Sequence, residues 1–243
     1  MFPIYKKELQ SFFYTPFAYT ITALFMLLFT YMFNVAIGNI DQSTYQFSFT
    51  EIFYNVIFYF IFLIPIMTMR TYADERKFGT EVLLMTSPVS VLKIVLSKFL
   101  ANITVFIFMI AGSTLFPIVT ALNGHVVISQ LICAYIGFFC WGAMYIALGM
   151  LVSSFTESSI LAAILGELAM FVFLFIDDFS RTGFIAQYPK LQSVLYAFAA
   201  QPRFAYFSQG FIRLSDMVFF ISAIVVLLAW NFVSIEKKRW NRG

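Results

Sequence analysis

The sequence predicts an all-α integral membrane protein: six transmembrane helices, an N-terminal interfacial helix and a short cytoplasmic helix, in a single transmembrane domain. Three observations predict it. Hydrophobic side chains make up 61% of the 243 residues and charged ones 11%, against about half and about a quarter in soluble domains. Six apolar runs, residues 17–38, 52–69, 99–122, 126–152, 158–176 and 217–235, each approach the ~20 residues that a helix needs to cross the hydrocarbon core. The basic residues are also unevenly shared among the connecting segments. The net charge of +3 is too small and too scattered for the dense basic face that binds nucleic acid, so none is expected as a partner.

Taken in order, residues 1–16 place Tyr5, Leu9, Phe12 and Phe13 on one helical stripe, the pattern of a helix lying at the lipid surface. Pro16 ends it. The first span begins too late and runs too long for a signal peptide and is expected to stay in the mature protein. With both termini cytoplasmic, the inner segments hold Lys6, Lys7, Arg70, Arg76, Lys77, Lys93, Lys98, Lys237, Lys238, Arg239 and Arg242, eleven of the fifteen basic residues. The other four, Arg181, Lys190, Arg203 and Arg213, share one long outer loop, and the two short outer loops carry none. The positive-inside rule then sets a multi-pass protein of the cell (inner, cytoplasmic) membrane with both ends inside.

Between the second and third spans, residues 70–98 form the one inner segment dense in charge. Asp74, Glu75, Arg76 and Lys77 read as a solvated cluster, Gly79 supplies a turn, and 80–87 is long enough for about two helical turns parallel to the membrane before Pro88. Ser87 and Pro88 then cap and open a helix that starts in the cytosol with Lys93 and Lys98. On residue pattern alone, an ordinary charged loop explains this segment equally well.

Other candidates are weaker. Glu167 lies near the middle of the fifth span, where an acid costs about 2.5–3.5 kcal/mol on insertion scales, so it is expected to turn away from lipid. It marks either a translocation pathway or dimer interface, or a protonated acid hydrogen-bonded to a neighbouring span. Ala162, Ala163, Gly166 and Ala169 beside it permit close helix approach. His125 alone builds no metal site. Cys133 and Cys140 are about 10 Å apart on a helix, too far to bridge. The 33 phenylalanines read as bulk hydrophobicity, and Pro65 and Pro117 as kinks. The outer stretch 177–216 holds apolar runs at 194–200 and 204–207 and reads as short helices, re-entrant or flat, broken by Pro189, Pro202 and Gly210.

The order Asp74-Glu75-Arg76-Lys77-Phe78-Gly79-Thr80-Glu81, a Leu-rich turn and Pro88-Val89-Ser90 resembles the signature of ATP-binding cassette permeases of the type-2 class. In that family the segment resembles the coupling helix that docks in a groove of a cytosolic ATPase. The resemblance therefore assigns ATPase coupling to Asp74, Glu75, Arg76, Lys77, Gly79, Glu81, Leu83, Leu84 and Met85. Lys6, Lys7, Glu8 and Leu9 with Phe13 and Pro16 are similar to the family's N-terminal elbow helix. Ser153 to Ser158 are similar to its short inner loop after the fourth span, and Gly210, Asp216 and Phe220 to the segment before its last span. Within that family the chain resembles the compact permeases of gliding motility and nitrous-oxide-reductase maturation.

The resemblance implies an exporter subunit that works with ABC ATPase subunits, a second permease half, identical or sibling, and the surrounding lipid. ATP and magnesium would be bound by the ATPase, since this chain has no G-x-x-x-x-G-K-[ST] loop and so no ATPase motif or cofactor of its own. Two other classes fit less well. An intramembrane enzyme would need a motif such as H-E-x-x-H or G-x-S-x-G, or a pair of intramembrane carboxylates, and none is present. An ion-coupled secondary transporter needs several intramembrane polar groups, and Glu167 is nearly alone. Apolar spans and short outer loops suit a lipid-linked or otherwise amphipathic cargo.

Overall fold

The computed structural model describes residues 1–38, 49–85, 89–123, 126–181 and 187–240, and every regular element among them is a helix. Residues 39–48 and 86–88, which include Ser87 and Pro88, lie outside the described residues, as does His125. Among the described residues, six helices are long and apolar enough to cross a membrane.

Helix α1 (Phe2–Phe13) opens with Pro3 in its first turn, where the missing N–H costs nothing. Pro16 separates it from α2 (Phe17–Gly38). Helix α3 (Phe49–Thr68) carries Pro65 without breaking there, and α4 (Arg70–Lys77) continues it after an interruption at Met69. A glycine turn leads to the short α5 (Glu81–Met85). The third span is α6 (Val91–Ser113) followed by α7 (Leu115–Asn123). Their break precedes Pro117 by one turn, as expected when a proline ring clashes with the carbonyl four residues back.

Helix α8 (Ile128–Ser153) is the axis of the bundle. Every residue from Cys140 to Leu151 is buried, and a helix apolar on all sides belongs inside. It is ringed by α3, α4, α6, α9 (Ser159–Arg181), α11 (Gln201–Ser208) and α12 (Leu214–Trp240). Glycines let three of these come close. A Cβ on Gly142 would lie 2.1 Å from the Phe106 ring of α6, one on Gly149 would lie 2.2 Å from the Thr68 hydroxyl of α3, and one on Gly137 would lie 2.4 Å from Phe207 of α11. Lipid gives no hydrophobic drive for helices to associate, so such tight contact is what holds them together.

The phenylalanines are more than bulk. Phe25, Phe29, Phe53, Phe60, Phe106 and Phe138 are almost completely buried and interlock edge to face, Phe25 on Phe60 and Phe60 on Phe138 both at 5.0 Å. Of the outer stretch, α10 (Pro189–Ala197) rests on α9, while α11 sinks Phe204 and Phe207 into the bundle beside α8 and α3. Arg203 fixes it to Asp216 at the start of α12, at 3.1 Å.

Gly142→Ala and Gly149→Ala are each expected to destabilise the bundle by about 1–3 kcal/mol, the range for overpacking. Gly38→Ala, with open space around it, changes nothing. Thermal unfolding of the three purified variants in one detergent checks this, and Phe106→Leu should recover part of the Gly142→Ala loss.

Candidate functional site

One end of the bundle gathers charge from parts of the chain far apart in sequence. The first turns of α6 rise beside α1 and α4, and Lys98 ends between them with 1% of its side chain exposed. An ammonium has three N–H donors, and all three are used. They reach Glu8 of α1 at 3.0 Å, Glu75 of α4 at 2.9 Å and the Thr71 carbonyl at 2.8 Å. Lys7 adds a second cation to Glu75 at 3.1 Å, so two lysines balance two glutamates. A buried charge persists only when its partners replace water in this way. The Lys98 ammonium also lies 5.3 Å from the Tyr72 ring centre.

The interruption at Met69 frees backbone groups that need partners. Ser153, at the end of α8, supplies them. Its hydroxyl accepts from the N–H groups of Tyr72 and Ala73 at 3.2 and 3.3 Å and donates to the Met69 carbonyl at 3.0 Å. One turn along α6, Asn102 donates to the Thr71 hydroxyl at 3.3 Å. Asp74 accepts a short hydrogen bond from Ser159, the first residue of α9, and Lys238 donates another to the Ser154 carbonyl. Both ends of the chain therefore meet at this end of the bundle.

Arg76 closes the site. Its side chain is 6% exposed, with Nε on Glu81 at 3.1 Å and Nη1 on the Thr156 carbonyl at 3.2 Å. Between Arg76 and Glu81 the chain reverses through Gly79 at φ +69°, a conformation that glycine adopts without strain. The reversal turns Glu81 inward and leaves Phe78, Val82 and Leu83 outward, with Leu83 73% exposed. Phe155 and Ile160, from the turn after α8 and the start of α9, are exposed on the same end. A cavity of about 670 Å³ separates Phe78 from Ile160.

The segment 74–77 is thus not a solvated cluster. Asp74, Glu75 and Arg76 are half-buried and ion-paired, and only Lys77 is exposed. Helix α3 resumes as α4 and carries them against α1, α6 and the 154–158 turn. The side chains of Leu84 and Met85 lie outside the described residues. Residue pattern missed Lys98, read as a cytosolic helix start, along with Thr71 and Ser159, and it gave Glu8 and Ser153, named only through the family resemblance, no part in an ion or hydrogen-bond network. The one available signal was Glu8, an acid on the otherwise apolar inner face of α1.

Glu167 stands apart from this site. It is half-buried in α9 rather than enclosed by the bundle, and no hydrogen bond or ion pair links it to another described residue. It heads a stripe with Phe171, Phe175 and Asp178, and the two rings meet Phe58 and Phe62 of α3.

A family model described as ABC-2 family transporter protein matches residues 2–240. A comparison with curated proteins finds no match.

Lys98→Met leaves Glu8 and Glu75 without their shared cation and is expected to lower stability by about 3–5 kcal/mol, as for other broken buried pairs. Adding Glu8→Gln and Glu75→Gln removes the uncompensated charges and should recover most of the loss. Denaturant unfolding of both variants measures it, and a triple variant no more stable than Lys98→Met contradicts the pairing.

Proposed function

The chain belongs to the ABC-2 family of transporters and is a membrane-spanning permease subunit; from that premise we propose that it is one half of an exporter, driven by ATP hydrolysed on a separate ATPase. The observation that carries the coupling reading is the exposed edge at Phe78, Val82 and Leu83, held by a buried ion network rather than floating on a loop. An apolar edge on a rigid support is suited to fill a groove in a partner. Any push on α5 passes through the Arg76–Glu81 pair into α4, and α4 continues into the α3 span. The clamp on Lys98 makes α1 and α6 move with it. ATP and magnesium belong to the partner, which must bring its own phosphate-binding loop.

The charged end is the cytoplasmic one in this reading, because Lys6, Lys7, Arg70, Lys93, Lys237 and Arg239 gather there and only Arg181, Lys190, Arg203 and Arg213 lie at the other. Helix α1, with Phe2 and the two lysines outward, lies along the lipid surface. A second permease half, a copy of this chain or a sibling, covers the Glu167 stripe of α9, since a mid-span acid facing lipid is costly. That stripe then lines the pathway between the halves. The cargo is amphipathic, in keeping with the apolar spans.

Leu83→Ala is expected to weaken association with the ATPase by about 2 kcal/mol, roughly thirtyfold, while the permease stays inserted and assembled. Glu81→Lys should also weaken it, by breaking the support at Arg76. Pull-down of the ATPase and substrate-stimulated hydrolysis read both. If neither changes while Phe155→Ala abolishes association, coupling belongs to the 154–158 turn.

Orientation is tested by cysteine labelling on a background without Cys133 and Cys140. An impermeant maleimide applied to intact cells should label Ser193→Cys and spare Ser90→Cys, and the reverse result inverts the topology.

A further inference from the structure

At the end of the bundle opposite the ion network lies a cavity of about 390 Å³ that the coupling reading does not use. Tyr54 of α3, Asp177, Asp178 and Arg181 at the end of α9, Tyr196 of α10 and Gln201 of α11 line it. Asp177 and Arg181 face each other one turn apart through two contacts, Nη2 to Oδ2 at 2.8 Å and Nε to Oδ1 at 3.2 Å. The pair cancels one charge of each sign in the wall. Gln201 donates to the Tyr54 hydroxyl oxygen at 2.8 Å, which leaves the amide carbonyl to accept and the tyrosine proton to be given. Tyr54 and Tyr196 are 41% and 45% exposed.

Two helical stripes run down from the cavity toward the middle of the membrane. Tyr54, Phe58 and Phe62 follow one another by four residues on α3, and Asp178, Phe175, Phe171 and Glu167 descend α9 at the same kind of spacing. Their rings interlock, with Phe58 at 6.4 Å from Phe175 and Phe62 at 5.6 Å from Phe171. A polar pocket therefore caps an aromatic ladder.

Hydrogen-bond capacity separates the heads that such a pocket could take. A phosphate only accepts, and it would face two carboxylates. A quaternary ammonium would meet Asp178 and the tyrosine faces, but it neither gives nor accepts, so Gln201 and the Arg181 guanidinium would lose water without gaining a partner. Hydroxyls do both, and flat tyrosine rings cover the apolar face of a sugar ring. We propose that this cavity binds the uncharged, polyhydroxylated head of an amphipathic, glycolipid-like cargo, with its apolar chain against the ladder of Phe58, Phe62, Phe171 and Phe175. The purpose of such binding rests on the transport reading, but the binding chemistry does not.

The test uses the full chain in phosphatidylcholine nanodiscs, without an ATPase, and tritiated octyl glucoside below its micelle concentration. Uptake by empty nanodiscs is subtracted. Saturable binding is expected, weakened at least tenfold by Gln201→Ala and by Tyr196→Ala, unchanged by Leu83→Ala, and not displaced by equal octyltrimethylammonium or octyl phosphate. Both cavity variants alter exposed or half-buried side chains, and an unchanged unfolding temperature shows that they fold. Non-saturable uptake, or equal binding by the two variants, overturns the site. Preferential displacement by octyltrimethylammonium overturns the head class and makes Asp178 the recognition group. If glucoside binding is absent while a separate assay with the ATPase added shows its stimulation by another cargo, this cavity is removed and the transport role stands.

Discussion

A lysine ammonium with no route to water governs the charged end of this protein. Lys98 is acceptable inside only because Glu8, Glu75 and the Thr71 carbonyl take its three protons. Those partners come from α1 and α4, so satisfying one charge fixes two helices against a third. The consequence reaches further than the network. Once α4 is placed, the reversal at Gly79 places α5, and the Arg76–Glu81 pair decides which of its faces turns outward.

The rest of the bundle makes that placement stiff. Helix α8 is enclosed for twelve successive residues, and its glycines bring α3, α6 and α11 to within contact of its backbone. Its last residue, Ser153, binds the freed backbone where α3 passes into α4. A span and its polar extension are therefore joined to the central helix at the point where they would otherwise flex. Closely packed interfaces of this kind transmit a displacement as a rigid shift rather than absorbing it.

Much of this was legible in the sequence, for reasons that are local. Composition and run length alone give six spans, and the glycine turn at Gly79 is announced by its own residue type. The type-2 resemblance is written in a short stretch from Asp74 to Ser90. What was not legible is non-local. Lys98 and Glu8 are 90 residues apart, and nothing near either residue says that they meet, so a buried cation looks like any basic helix start. Asp74, Glu75 and Arg76 mislead for the same reason, since four charges in a row read as solvated until α1, α6 and the 154–158 turn are brought around them. The phenylalanines hide a second ambiguity. A lipid-facing ring and a core ring have the same hydropathy, and only packing separates Phe60 from Phe58. Glu167 was expected inside the bundle, and within one chain it is only half covered, which moves the question to what lies beside α9.

In the proposed transport cycle the outward edge of α5 meets the motor. A photo-crosslinking amino acid placed at position 83 and irradiated in intact cells reports that contact, with the adduct identified by mass spectrometry. The expected product is a covalent adduct with a polypeptide that carries a G-x-x-x-x-G-K-[ST] loop, with none from the same probe at position 193. An adduct with lipid alone at position 83, or capture of the ATPase from position 193, would contradict it.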